Sequence, residues 1–332
     1  KCATIRVASI RPSNKFSMSR WHGSIARNSS VGLIPFEPLL PTKRNNISIT
    51  IMKTESNNDI NKRSKQTILF LCMAMICLLT ACNDVFDVHP YDVNYKGETH
   101  HNKQAIAEIE QRFASRDSLR IAFISDTHGW YTNTKAEIDD INKRNDIDFV
   151  VHCGDLTDTG TKKEYERTRK ILQKLDVPYV ALIGNHDFLG TGDQSYQVLY
   201  GSLDFSFIAG RVKFLCLNTN ATEYDYMAAV PNFDYIEQEI TARADEFDRT
   251  VIIMHAPPYS DQFNNNVAKA FRRYIDFLPH LMFCVYGHNH NSVVNNIYSD
   301  GLLFYGIDCS DHRIYRIITI RKEGYDEEEV HF

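Results

Sequence analysis

Histidine, aspartate and asparagine recur at one kind of place in this chain, directly after short apolar runs. The run 119–125 leads into Asp126-Thr127-His128, and the run 147–153 into Gly154-Asp155. The run 178–184 opens onto Asn185-His186-Asp187, 250–255 closes on His255, and 281–287 is followed by His288-Asn289-His290. Carboxylate, imidazole and amide oxygen are borderline-hard donors, and this many of them suits two divalent or mixed-valence metal ions, such as Mn, Fe or Zn. No Cys joins the set, which argues against a thiolate site. Asp126 and His128 stand two apart, so in an extended segment both side chains point the same way, and His288 and His290 repeat that spacing. Glycines at 154, 184 and 287 would let the chain turn sharply beneath a bound group.

The apolar runs read as strands because both alternating sets of residues are apolar. Helical periodicity appears near 102–116, 134–145, 160–175, 232–246 and 265–278, and strand-like segments return at 293–298, 301–307 and 313–320. Strand–helix alternation with doubly apolar strands predicts α/β layers with helices outside, and the late strands predict a second sheet packed on the first. Ligands bind at the carboxyl edge of such sheets, which is where all five polar strand ends would meet. Each residue alone has a plainer reading. Asp126 or Asp158 could cap a helix, Asn185 could belong to a turn, and His255 could simply end a strand. Five coincidences on one edge outweigh those readings. His152 is expected in the core. His89, His100, His101, His280 and His312 fit no pattern.

The ordered set DxH, GD, GNH(D/E), H and GHxH resembles the calcineurin-like metallophosphoesterase superfamily. The resemblance covers roughly 119–320, with motifs from 126 to 290. It implies a four-layer α-β-β-α sandwich of two packed mixed sheets with helices outside. It also implies that Asp126, His128, Asp155 and His290 hold one metal ion. Asp155, Asn185, His255 and His288 would hold the second, with Asp155 bridging. By the same resemblance His186 faces the substrate as general acid and Asp158 orients it. The expected reaction is hydrolysis of a small-molecule phosphoric ester, mono- or diester, by a bridging hydroxide of the dinuclear centre. Two alternatives stand: a pyrophosphatase acting on a nucleotide-linked lipid or sugar, and a non-catalytic surface binding module. The ligand loops carry Trp130, Tyr131, Phe188, Tyr196, Tyr224, Tyr226, Tyr259 and Phe263. These could stack a nucleobase or aryl group or pack the loops together, and packing is the plainer expectation.

The chain's net charge of −5 is uneven. Residues 1–51 hold eight bases and one acid, and 52–81 four bases and two acids, so 82–332 carries −14. An acidic body argues against nucleic acid as partner. Residues 52–81 combine a basic lead, the apolar run Ile68–Leu79 and Leu79-Thr80-Ala81-Cys82, the parts of a signal peptide. That ending resembles a lipobox, implying a bacterial lipoprotein joined to a membrane through lipid on Cys82, on the periplasmic side or the cell surface. Residues 1–51 read as a disordered upstream extension outside the native protein; a native extension leaving the signal internal stays open. Residues 82–101 read as a polar tether and 102–332 as the catalytic domain. Cys153, Cys216, Cys284 and Cys309 are expected as buried free thiols.

Overall fold

The computed structural model describes residues 56–80 and 89–332. Helix α1 (Ser56–Thr80) carries the apolar run, with Ile68, Leu69, Phe70 and Leu71 exposed, and the boundary of a separate unit falls within it, after Ala74. No described helix is long and apolar enough to cross a membrane. Ala81 and Cys82 of the lipobox-like ending, and residues 1–51, lie outside the described residues.

The remaining elements are, in order, α2 (His101–Phe113), β1 (Leu119–Ile124), α3 (Tyr131–Lys143), β2 (Phe149–His152), α4 (Lys162–Leu172), β3 (Tyr179–Ala181), α5 (Gly192–Leu199), β4 (Phe205–Ala209) and β5 (Val212–Leu217). Then follow α6 (Phe233–Thr241), β6 (Arg249–Met254), α7 (Ala268–Ile275), β7 (Leu281–Tyr286), β8 (Val294–Asn295), β9 (Phe304–Gly306), β10 (Ile314–Arg321) and β11 (Gly324–His331). They form a five-stranded sheet ordered β11-β10-β1-β2-β3 and a six-stranded sheet ordered β4-β5-β6-β7-β9-β8. Both are mixed: β1, β2 and β3 run parallel, as do β5, β6, β7 and β9, and antiparallel strands complete the edges.

Alternation along each central strand builds the layers. Ile121 and Phe123 of β1 meet Val251 and Ile253 of β6 in the core between the sheets. Ala122 and Ile124 face the other way, with Ile138 of α3 and Tyr165 of α4. Ile252 and Met254 likewise pack with Phe271 and Ile275 of α7. This is the expected α-β-β-α sandwich, and it explains why the central strands are apolar on both faces. The helix at 160–175 starts later than its periodicity suggests. Its cap is a box formed by Thr161 and Glu164, so the capping role does not fall to Asp158.

The segment read as a tether is docked from Pro90 onward. Lys162 N donates to the Pro90 carbonyl at 2.9 Å, and the Lys162 ammonium pairs with Asp92 at 2.7 Å. Thr191 Oγ1 donates to the Tyr91 carbonyl, and Tyr95 packs against the helix-side core.

Candidate metal centre

The parallel strands deliver their polar ends to one edge. Asp126, Asp155 and Asn185 follow β1, β2 and β3 of one sheet; His255, His288 and His290 follow β6 and β7 of the other. Two links hold this edge together: the main chain of Ser125 bridges to Cys309, and His288 N donates to the Asp126 side chain at Oδ2, 3.0 Å away.

The paired spacing works differently from the sequence expectation. Asp126 and His128 do not lie on an extended segment; both have left-handed backbones, with φ of 50° and 40°. Asp155, His288 and His290 share that conformation, at 56°, 68° and 46°. Successive left-handed turns, rather than strand alternation, aim these side chains inward. Such conformations are uncommon for residues with a Cβ and gather at functional sites. The glycines divide their work too. Gly154 has a left-handed φ of 104°, but Gly184 and Gly287 are needed for space. A Cβ on Gly184 would lie 2.1 Å from Asp155 Oδ1, and one on Gly287 2.8 Å from Asp126 Oδ2.

Two groups of ligand atoms result. In the first, the ligand atoms of Asp126, His128, Asp155 and His290 all lie within 4.8 Å of one another. His290 Nε2 is 3.2 Å from Asp126 Oδ1 and 3.2 Å from His128 Nε2. In the second, His255 Nε2 stands 3.3 Å from Asp155 Oδ2 and 3.0 Å from Asn185 Oδ1, and His288 Nδ1 is also 3.0 Å from Asn185 Oδ1. Asp155 touches both groups.

Proton accounting tests whether these residues fit a cation. The Cys153 carbonyl lies 2.9 Å from His255 Nδ1 and can only accept, so that nitrogen carries hydrogen. Asp261 Oδ1 lies 2.7 Å from His288 Nε2, which assigns the hydrogen there. The nitrogens left over, His255 Nε2 and His288 Nδ1, turn lone pairs toward the Asn185 and Asp155 oxygens. Acceptors facing acceptors at about 3 Å repel unless a positive charge sits among them. The donor set fits a divalent ion.

In the protein alone, protons supply part of that charge. Burial opposes a charged His255, but Asp155 and then Asp126 prevail and lift its pKa to about 9. The bond to Asp126 lifts His290 to about 10. Burial opposes ionisation of Asp126, but His290 and its neighbours hold the carboxyl far below its ordinary value. Burial lowers His128 and His288.

His186 lies beside this centre, with its ring centroid 4.6 Å from that of His128 and its side chain 39% exposed. Its Nδ1 is held by the main-chain carbonyl of Asp158 at 2.8 Å, whereas the Asp158 carboxylate is 3.9 Å away. Orientation of His186 therefore comes from the Asp158 backbone rather than from the carboxylate that the resemblance implied. Asp187 completes the Asn185-His186-Asp187 run. Its carboxylate accepts from the main chains of Gly184, Leu156 and Thr157 and from Thr157 Oγ1, joining two ligand loops. His152 is buried as expected, between Gly154 N and Thr127 Oγ1. Among the aromatics, Tyr196 and Phe263 are buried and Phe188 packs edge-on to Tyr224, while Tyr226 and Tyr259 stay about half exposed.

A family model for calcineurin-like phosphoesterases matches residues 119–292. The chain belongs to this calcineurin-like phosphoesterase family. It is a hydrolase of phosphoric esters, and the family is metal-dependent. Over 195 residues this phosphoesterase is 27% identical to a 3',5'-cyclic-nucleotide phosphodiesterase of Nostoc sp., covering 56% of this chain and 71% of that protein. Over 40 residues it is 45% identical to a probable glycerophosphodiester phosphodiesterase of Arcobacter nitrofigilis, covering 12% of this chain and 15% of that one. The fold is similar to that of the Plasmodium protein GAP50, described as the anchor in the inner membrane complex. The TM-score is 0.50 at 10% identity, over 65% of this chain and 85% of GAP50.

Proposed function

We propose that this phosphoesterase is a phosphodiesterase with a dinuclear metal centre. The carrying observation is the convergence of His255 Nε2, His288 Nδ1, Asn185 Oδ1 and Asp155 Oδ2, with the His255 and His288 protons committed elsewhere. Asp126, His128, Asp155 and His290 would hold one ion, and Asp155, Asn185, His255 and His288 the other. Bound there, Mn, Fe or Zn would supply Lewis-acid charge to the phosphoryl oxygens and lower the pKa of water.

The chain's own residues do the rest. Asp155 spans both ligand groups, and its Oδ1 also accepts from His186 N at 2.9 Å, so one carboxylate sets the metal loop and the acid loop together. The Asp158 carbonyl fixes hydrogen on His186 Nδ1, leaving Nε2 to carry a proton to the leaving oxygen. A diester is favoured by the carboxylates around the mouth. Asp158 and Asp261 have side chains 59% and 84% exposed, and Glu223 stands half-buried on the turn at Ala221–Tyr224. Burial, then the Asp155 charge, push the Glu223 pKa up. Such a mouth repels a dianionic monoester more than a monoanionic diester. The named activities of the two relatives support the same choice.

Localisation belongs to this reading. The basic lead and apolar run of α1, followed by the lipobox-like ending at Cys82, support export and lipid anchoring, with 102–332 as the catalytic domain. The test is turnover of an aryl phosphodiester against an aryl phosphomonoester by metal-stripped protein given Mn, Zn or Fe singly. Metal-restored turnover with the diester preferred is expected. Turnover that survives metal removal would sink the proposal.

A further inference from the structure

The loop between His255 and α7 carries no family motif, yet it reaches into the centre. We propose that Asp261 is a positioning residue, fixing the tautomer of His288 so that Nδ1 is presented to the second metal ion. The inference rests on the dinuclear reading above.

The geometry is direct. Asp261 Oδ1 lies 2.7 Å from His288 Nε2 on the side away from Asn185, whose Oδ1 is 3.0 Å from Nδ1. A carboxylate accepts, so Nε2 keeps the hydrogen and Nδ1 keeps the lone pair. Without Asp261 the ring could take the opposite tautomer, placing N–H toward the second ligand group. His255 and His186 need no such side chain, because the carbonyls of Cys153 and Asp158 fix their tautomers. His288 relies on a side chain for the same task.

The loop is built to hold that side chain. Asn265 accepts from Tyr259 N at 2.8 Å and donates to the Ser260 carbonyl at 2.7 Å, closing the loop on one side of Asp261. On the other side the Gln262 carbonyl accepts from Ala221 N at 2.9 Å, and Phe263 is buried. Two anchored flanks thus place a carboxylate that is itself 84% exposed. Because it is exposed, Asp261 contributes little to folding stability; its effect falls on the imidazole it orients. Outer partners of metal-ligating histidines typically change metal affinity about 10- to 100-fold.

The test is stepwise Mn²⁺ calorimetry on the metal-stripped full chain, comparing the native protein with Asp261→Ala and Asp261→Asn. One of two binding events should weaken about 10- to 100-fold in Asp261→Ala, with the other unchanged within about two-fold. Asp261→Asn should fall between, because its amide oxygen still accepts. In the Zn²⁺-loaded native protein, ¹⁵N shifts of His288 should show hydrogen on Nε2, and Asp261→Ala should lose that single tautomer. Two native events unchanged in Asp261→Ala would overturn the positioning role alone. So would equal weakening of both events with a lower melting temperature of the metal-free variant, the mark of a collapsed loop. A native protein that takes up no Mn²⁺ would overturn the metal-centre reading and this inference with it.

Discussion

Strand β11 and the ligand edge both crowd carboxylates together, and they are neutralised by opposite means. Along β11, Asp326 pairs with Arg321, Glu327 and Glu329 with Arg316, and Glu328 with Arg120 and Arg144. At the ligand edge, every ion-pair partner of Asp126 and Asp155 among the described residues is a histidine. A guanidinium is permanently charged and fills carboxylate lone pairs with N–H groups. A neutral imidazole turns a lone pair of its own toward the same space. The first arrangement completes an edge strand with partners from the chain itself. The second leaves oxygen and nitrogen donors aimed together at a cation from outside.

Exchanging the charge at the ligand edge should have the largest effect. Asp155→Asn weakens both ligand groups, and turnover of a diester in Mn²⁺ should fall by about three orders of magnitude, in line with loss of a principal electrostatic group. A loss of less than ten-fold would contradict a bridging Asp155. The next effect tests a residue of this edge that binds no ion. His186→Ala should slow a diester with a poor leaving group about 10²- to 10³-fold and an activated aryl diester only a few-fold. Equal losses on both would remove the acid role.

Breaking the other region should leave chemistry alone. Arg316 has a side chain only 4% exposed and two carboxylate partners that are each more than one-third exposed. Glu327→Gln with Glu329→Gln should cost about 1–2 kcal/mol by denaturant melt, less than a fully buried pair, and leave kcat/KM on a soluble diester within about two-fold. A comparable loss of turnover would mean the two acidic regions are coupled.

The last effect, confined to stability and to its pH dependence, concerns a carboxyl with neither kind of partner. Glu137 on α3 is fully buried and receives only Ser310 Oγ, at 2.6 Å. Burial pushes its pKa up to about 8 from an ordinary 4.5, with the Ser310 bond acting weakly against this. The folded state therefore keeps a proton that the unfolded chain gives up. Its stabilising contribution is complete below pH 4.5 and is lost as pH rises through about 8. Glu137→Gln should flatten that decline, raising the melting temperature more at pH 8 than at pH 4.5. An unchanged pH profile would show that Glu137 is ionised in the fold.

These regions also differ in how far the sequence discloses them. The central strands are legible because burial on both faces writes an unbroken apolar run, as at Phe149–Val151 and Val251–Met254. Four consecutive acids hide β11, which is held by its ladder to β10 and by arginines distant in sequence. Strand β4 and helix α5 carry weaker signals: Ser206 interrupts the apolar run of β4, and α5 opens on Gly192 and turns only Ser195, Tyr196 and Leu199 fully inward with it. At the site, the residues named for the two ligand groups do come together, because each closes an apolar strand. Asp261 was missed because an exposed loop aspartate has no periodicity. Its one signal is a place in the loop that leaves His255.

The seam between the sheets has a mechanical meaning as well. Apolar packing holds the two sheets together, the described cysteines are free thiols, and no disulfide crosses the interface among the described residues. An ion gripped by Asp155 and Asn185 on one side and by His255 and His288 on the other would be a reversible cross-link, a latch at the open end of the sandwich. At 100-fold excess over its Kd, such a ligand adds about 2.7 kcal/mol to the closed fold. The rigidity of the whole domain would then follow the metal content of its surroundings.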